Sequence, residues 1–341
     1  MAIPETVPDP RDDIHAKVAF LVDRATLDGE HDPAPTRVIE THLSWVFITA
    51  ERVYKLKKPV RYPFVDLATL DARLHNCREE LRLNRELAPD VYLGLTTLFW
   101  CHACGFNLDG DGELVDVLIR MRRLPDILCL ENQLRAGTVQ PAEVTRAADR
   151  LVGFYQHQPP LPPADPADIG ARLDADADEL RGLLRSHTQL CTLVSALHDG
   201  LNRYGGALGR RPRLEAHGDL RPQHVYLGPD PVFIDRLEFS RALRVMDPVE
   251  ELAYLHLECT RLGGEWVGRS FLEHYQAYSG DRIPSALLAF YHARRALLWA
   301  LLAARHVERG GDREHWIGIS HDYVRHGLAA IGSANQTPGA R

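Results

Sequence analysis

At 341 residues, with 45% hydrophobic and 26% charged side chains, the chain is long enough for a sizeable core and has the balance of an ordinary globular protein. A formal net charge of −7 excludes a strongly basic nucleic-acid-binding chain. Six cysteines over this length are no disulfide framework, no apolar run reaches the roughly 18 residues of a membrane span, and the N-terminus MAIPETVPDPRDD lacks the basic and apolar regions of a signal peptide, so a cytoplasmic protein with reduced thiols is expected.

Residues 1–36 read as a polar, Pro-rich extension around one apolar patch, Val18–Val22. From Arg37 the composition turns β-like: VIETHLSWVFIT, a TAER turn, then VYKLKKPV. Alternation puts Val53, Lys55 and Lys57 on one face of the second strand and Tyr54, Leu56 and Lys58 on the other, although three lysines before Pro59 also suit a solvated edge strand. A helix follows, with Thr69 as candidate N-cap, and ends before Pro89. Leu70, Leu74, Cys77 and Leu81 form its apolar stripe, with Glu80 on the flank and Glu79 opposite. YLGLTTLFW and LVDVLIRMRRL are two further strands around the polar turn NLDGDGE. After Leu124-Pro125 the chain is mostly helical, with helical spacing near 141–157, 168–204, 248–262, 268–279 and 285–308, broken by the Pro-rich loop 159–166. The last nine residues read as a frayed tail.

The densest chemistry lies between His217 and Asp235, HGDLRPQHVYLGPDPVFID. Val225-Tyr226-Leu227 and Val232-Phe233-Ile234 flank Gly228-Pro229-Asp230-Pro231, the pattern of a hairpin. A symmetric four-residue loop sets residue 224 opposite residue 235, about 5 Å apart at the β-carbons. Asp219 lies just upstream, and two acids at one end of a hairpin suit a metal-bound phosphate.

His-x-Asp-x-Arg-Pro followed by a hairpin ending in Asp resembles the catalytic loop and metal-binding Asp of the protein-kinase-like superfamily. HGD in place of HRD resembles its aminoglycoside phosphotransferase branch of small-molecule kinases. ERVYKLKKPV, EELRLNRELAPDVYLG and HGDLRPQHVYL with FIDRLEF narrow the resemblance to a bacterial aminoglycoside-phosphotransferase-like family, over roughly residues 37–262. Some members carry a C-terminal P-loop ATPase domain; a stand-alone form without it is expected here.

The resemblance implies an α+β, two-lobed fold: an N-terminal extension (1–36), a β-rich nucleotide-binding lobe with one main helix (37–124), a larger helical lobe holding the catalytic loop, metal site and acceptor pocket (125–332), and a disordered tail (333–341). It implies transfer of the ATP γ-phosphate to a hydroxyl of a small molecule of the aminoglycoside, sugar or amino-alcohol class, with no nucleic-acid or membrane partner. Asp219 is then the catalytic base, Arg221 offsets charge on the moving phosphoryl group, and Asp235 holds Mg²⁺, with Mn²⁺ as the alternative. Lys55, with Lys57 as second choice, and Glu80 are expected at the phosphates. Backbone groups of Thr41–Ser44 are expected over them, and Met121 and Arg122 at the adenine-binding hinge. His217 is expected to pack beneath the loop.

Position 224 departs from the pattern, because the superfamily has Asn there as a second metal-binding side chain and this chain has His224. Imidazole suits Mg²⁺ poorly and Mn²⁺ better. Three readings stand side by side: a ligand swap, a hydrogen-bond role with one metal site lost, or a weakened catalyst that acts as a nucleotide-binding pseudokinase. Glu238 and Asp247 also match the family; either suits the substrate, and Asp247 before Pro248 equally suits a helix cap. Glu251 stands where relatives usually have Asp.

Three further motifs are read as turns. Gly263–Ser270 mimics a P-loop but has Arg269 for the lysine and no strand feeding it. Asn107, Asp109 and Asp111 echo a calcium loop without its closing Glu. Cys101-His102-Ala103-Cys104 lacks the second cysteine pair of a zinc site.

Overall fold

The computed structural model describes residues 9–22, 27, 36–184, 188–308 and 310–336. The chain divides into two units: Met1–Asp126 with Val232–Arg241, and Ile127–Pro231 with Ala242–Arg341. The segment Val232–Arg241, which begins with the strand after Gly228–Pro231, belongs to the first unit.

The first unit is built on a six-stranded antiparallel sheet in the order β1 (Arg37–Glu40), β2 (Ser44–Ile48), β3 (Arg52–Lys57), β8 (Glu113–Arg122), β6 (Tyr92–Cys101), β7 (Gly105–Leu108); β4 (Arg61–Tyr62) and β5 (Val65–Asp66) form a separate small ladder. The lysine strand β3 is interior, with Lys55 opposite Val46 on one side and Ile119 on the other, so the solvated-edge reading fails. Helix α1 (Ile14–Val22) corrects the expectation of an extension at 1–36. Its Leu21 is buried in a core with Phe47, Tyr54, Leu56, Leu98 and Leu118, each side chain contributing roughly 2 kcal/mol. Its Lys17 donates to Asp116 at 2.7 Å, and that carboxylate also takes the Arg73 guanidinium at 2.9 and 3.0 Å. Helix α2 (Leu70–Asn84) starts where expected, with Thr69 Oγ1 accepting the Ala72 N–H at 3.2 Å. Its Cys77 packs with Val117, Ile119 and Met121, the residues of β8 that alternation turns away from Leu118. Strand β7 was not foreseen, because four residues carry too short a pattern.

The second unit is helical. Its main helices are α3 (Leu130–Ala136), α4 (Pro141–His157), α5 (Pro166–Leu183), α6 (Thr188–Leu208), α7 (Pro248–Arg261), α8 (Glu265–Ser279), α9 (Ser285–Glu308) and α10 (Arg313–Gln336). The continuous stretch expected at 168–204 is two helices, the first capped by Asp165 ahead of Pro166. Helix α10 was not foreseen and takes in Ser333–Gln336 of the expected tail; residues 337–341 lie outside the described residues. Helix α9 is long and apolar enough to cross a membrane, yet 67% of its apolar window is buried. Its Ala293, Ala296, Leu297 and Ala300 pack against Leu173 and Leu180 of α5, Leu193 and Leu197 of α6, and Val249 and Ala253 of α7. Gly263 and Gly264 form the turn into α8, which disposes of the P-loop mimic. Short strands β9 (Leu214–Glu215) and β12 (Val245–Met246) pair in this unit, and the expected strands around Gly228–Pro231 are β10 (Val225–Tyr226) in the second unit and β11 (Val232–Phe233) in the first.

Candidate active site

In the first unit, strand β3 and helix α2 bring two lysines onto one carboxylate. Lys55 Nζ donates to Glu80 Oε1 at 3.1 Å and is ion-paired with Asp235; Lys57 Nζ is ion-paired with Glu80 Oε2 and lies 2.6 Å from Glu238 Oε1. Lys58 points the other way, to Glu40, with its ammonium 5.4 Å from the Trp45 ring centroid. Glu79 stays at the surface with Arg82. Two residues apart on a strand share a face, and the flank of the α2 stripe faces that face.

The charges stabilise one another. Burial raises the carboxyl of Glu80, but the Lys55 and Lys57 ammoniums outweigh it and hold the group below the usual range. Burial disfavours the Lys55 ammonium, and Asp235 and then Glu80 more than restore it. Glu238 moves the opposite way from Glu80: burial raises it, Lys57 only partly compensates, and Glu80 repels it. Glu238 is therefore bound into the lysine cluster, which corrects its reading as a substrate-facing acid.

Asp235 is held in place by its neighbours. Its φ of +63° is left-handed, a conformation that Asp tolerates better than most residues. Its N–H donates to Tyr92 Oη at 3.0 Å. The next residue, Arg236, exchanges backbone bonds with the Asn84 amide at 2.8 and 3.2 Å, and its buried guanidinium pairs with Glu86 at 2.9 Å. Asp235 itself keeps 41% of its side chain exposed. A half-exposed carboxylate beside a lysine fits a hard divalent cation that completes its oxygen shell with phosphate and water. Among the described residues, no group of three or more His, Cys, Asp or Glu forms a preassembled metal cage.

Two sets of backbone groups are already engaged. Arg122 N–H donates to Val91 O and Arg123 N–H to Glu51 O, both at 2.8 Å, and Met121 sits in the ladder between Val53 and Tyr92. At the β1–β2 turn, Thr41 N–H donates to Ser44 O at 2.8 Å and Ser44 N–H to Thr41 Oγ1 at 3.0 Å.

In the second unit the residues expected to form the catalytic loop make their own cluster. Asp219 Oδ2 accepts Arg221 Nη2 at 2.7 Å. His224 Nδ1 lies 2.8 Å from the Asp219 carbonyl, which assigns the proton to Nδ1 and leaves Nε2 as an acceptor, approached by Gln223 Nε2 at 3.3 Å. Burial pushes the Asp219 carboxyl up, but Arg221, then His224 and His217, bring it below the ordinary range. Gly218, at φ +90°, supplies the left-handed step before Asp219.

Beneath the loop, Glu251 of α7 accepts His217 N–H at 3.0 Å, Gly218 N–H at 2.6 Å and the Tyr155 hydroxyl at 2.7 Å. Arg221 lies with its guanidinium carbon 4.8 Å from the Trp299 ring centroid, and Trp299 stacks on Tyr254 at 5.4 Å. Arg221 Nε and the buried Tyr254 hydroxyl lack hydrogen-bond partners among the described residues. Asp247 caps α7, accepting Val249 N–H at 2.9 Å, and also takes Arg211 and the Tyr291 hydroxyl. Tyr92, Asn84, Arg236, Tyr155, Tyr254 and Trp299 escaped the sequence reading. The first three stand inside blocks that carry the family resemblance, and the others leave no local signal.

No protein-family model matches the chain. It is 26% identical to the uncharacterized proteins Rv2004c of Mycobacterium tuberculosis (strain ATCC 25618 / H37Rv) and Mb2027c of Mycobacterium bovis, over 93% of this chain and 67% of each relative. Among solved structures it is similar to a glucosamine kinase in complex with glucosamine, ADP and inorganic phosphate, at a TM-score of 0.55 and 16% identity over 90% of this chain and 83% of that one. It is also similar to choline kinase LicA from Streptococcus pneumoniae, at a TM-score of 0.52 and 16% identity over 87% of this chain and 94% of that one. The chain has an α+β fold similar to that of these solved small-molecule kinases.

Proposed function

We propose that the protein is an ATP-dependent phosphotransferase acting on a hydroxyl of a small molecule, of the sugar, amino-sugar or amino-alcohol class. The observation that carries this reading is the Lys55–Glu80 pair reaching the half-exposed Asp235. It is supported by a fold whose solved examples include a glucosamine kinase with ADP and a choline kinase.

Phosphoryl transfer asks the protein for position and charge. Lys55 is the group for the ATP phosphates, since its ammonium is the more exposed of the pair and shares Asp235, while Lys57 is spent on Glu80 and Glu238. Asp235 would hold Mg²⁺ or Mn²⁺, whose charge would offset that developing on the phosphates, and in the second unit Nε2 of His224 is a nitrogen donor of the kind such a cation accepts. A metal-binding imidazole commonly donates its other N–H to a carbonyl, as His224 does to Asp219. Asp219 orients the acceptor hydroxyl and takes its proton as the oxygen bonds to the γ-phosphorus and the bond to the β-phosphate bridge breaks, releasing ADP. Arg221, which donates to Asp219, must then share that carboxylate with the acceptor, and its guanidinium charge would offset charge on the moving phosphoryl group.

The alternative, a nucleotide-binding pseudokinase, rests on the same imidazole standing in place of Asn. Phosphate transfer to a panel of hydroxyl-bearing metabolites, with Mg²⁺ or Mn²⁺, compares the native protein with Asp219→Ala. Turnover lost in the variant supports the kinase; equal turnover on every acceptor, alongside intact ATP binding, favours the pseudokinase.

A further inference from the structure

The hairpin joining β6 to β7 carries Cys101-His102-Ala103-Cys104-Gly105, which the phosphotransfer reading leaves unused. Cys101 ends β6 and is the register partner of Gly105, so three residues make the reversal. Gly105 takes φ +77°, the left-handed conformation that closes a turn this tight. Edge-on packing of Phe106 against Trp100, at 4.8 Å, fixes the two strands just behind it. The reversal folds Cys104 back toward Cys101. Both cysteines are free thiols, Cys104 exposed and Cys101 half-buried. Residues i and i+3 of such a turn lie within about 7 Å at Cα, and a disulfide needs roughly 4.4–6.8 Å.

We propose that Cys101 and Cys104 form a reversible dithiol–disulfide couple that exchanges with small-molecule disulfides of the glutathione class. The Cys101 thiolate attacks one sulfur of the oxidant, forming a mixed disulfide and expelling one glutathione thiolate. Cys104 then loses its proton and attacks the Cys101 sulfur, expelling the second. Two protein thiols become one disulfide, and one oxidised glutathione becomes two reduced molecules. The contacts divide the roles. The neighbouring Cys104 thiol, then the backbone N–H groups of Ala103 and Cys104, favour the Cys101 thiolate and lower its pKa, although burial and Asp111 oppose this. The same contact keeps the proton on Cys104.

The other cysteines offer no such arrangement. Cys77, Cys129 and Cys259 are buried, and burial pushes Cys77 up to about 12. Cys191 is exposed on α6 with no second cysteine adjacent in sequence, which makes it an internal control. A metal-thiolate site is disfavoured, because no third ligand joins the pair among the described residues. The couple lies at the far end of β6 from Tyr92, about 30 Å along the strand, so it is read by mass rather than by activity.

The test incubates the full chain with excess oxidised glutathione at neutral pH, quenches with acid, alkylates the remaining thiols and maps the peptides by mass spectrometry. The expected result is a 101–104 peptide lighter by two hydrogens and restored by dithiothreitol. Cys104→Ser should trap glutathione on Cys101, roughly tenfold faster than on Cys191. The couple is overturned if Cys101 and Cys104 both remain open to alkylation while Cys191 takes up glutathione. It is equally overturned if Cys104→Ser leaves Cys101 unmodified.

Discussion

Replacing each β3 lysine by methionine separates the two roles. The Lys57 side chain is 3% exposed and its carboxylates, on Glu80 and Glu238, are 2% and 9% exposed. Lys57→Met leaves Glu238 buried without its ammonium, and breaking a buried pair from one side costs about 3–5 kcal/mol. Lys55→Met is different: Glu80 keeps Lys57, and Asp235, with 41% of its side chain exposed, is met by water, so the loss is about 1 kcal/mol. If Lys55 holds the phosphates, Lys55→Met lowers kcat by about 10²–10³ while folding nearly normally. Urea unfolding at constant m-value measures the first effect and ATP turnover the second. Adding Glu238→Gln to Lys57→Met should recover about 1–3 kcal/mol, because the stranded charge is gone. The reasoning is refuted if Lys57→Met unfolds with the native midpoint while Lys55→Met is the unstable variant. It is refuted equally if Lys55→Met keeps full turnover.

Glu251→Ala should cost about 3–5 kcal/mol, since it strands two backbone N–H groups and the Tyr155 hydroxyl; urea unfolding reads it, and a loss below 1 kcal/mol would show the loop does not depend on that carboxylate. In Arg221→Ala the Asp219 carboxyl should climb toward the ordinary range, moving the acid limb of the kcat–pH profile to higher pH; an unmoved limb argues against Asp219 as the base. The stacked rings of partly buried His256 and buried His292, with Nδ1 and Nε2 3.0 Å apart, are held neutral by burial, at about 4 and about 3. Because the unfolded chain binds these protons from about pH 6.5, stability is complete above that pH and is lost as pH falls toward 4, by about 2 kcal/mol per ring at pH 5. Urea titrations at pH 7 and pH 5 should show a smaller loss in His256→Gln than in the native chain, and equal losses would exclude the pair as the source.

Local chemistry made much of the site readable. Strand alternation put Lys55 and Lys57 on one face, and the helical stripe preferred Glu80 to Glu79, because both patterns depend only on neighbouring residues. Neither pattern could tell the lysines apart. Their difference lies in Asp235 and Glu238, which reach β3 from a segment far along the chain. The same limit explains α1: Val18–Val22 is too short a patch to announce a helix, and only the buried Lys17–Asp116 pair and the Leu21 packing make it part of the first unit. Glu238 looked available to a substrate because nothing in its sequence reveals a buried ammonium across the fold.

The strand triplets around Gly228–Pro231, the Thr69 cap and the alternation of β3 were legible in the sequence alone, since caps, turns and periodicity are enforced over a few residues. Which lysine pairs with Asp235, which acid Lys57 ties up, and which helix carries Glu251 beneath the loop were decided only by the tertiary structure. Those outcomes depend on burial and on long-range pairing of charge, where one ammonium satisfies one carboxylate at the expense of another.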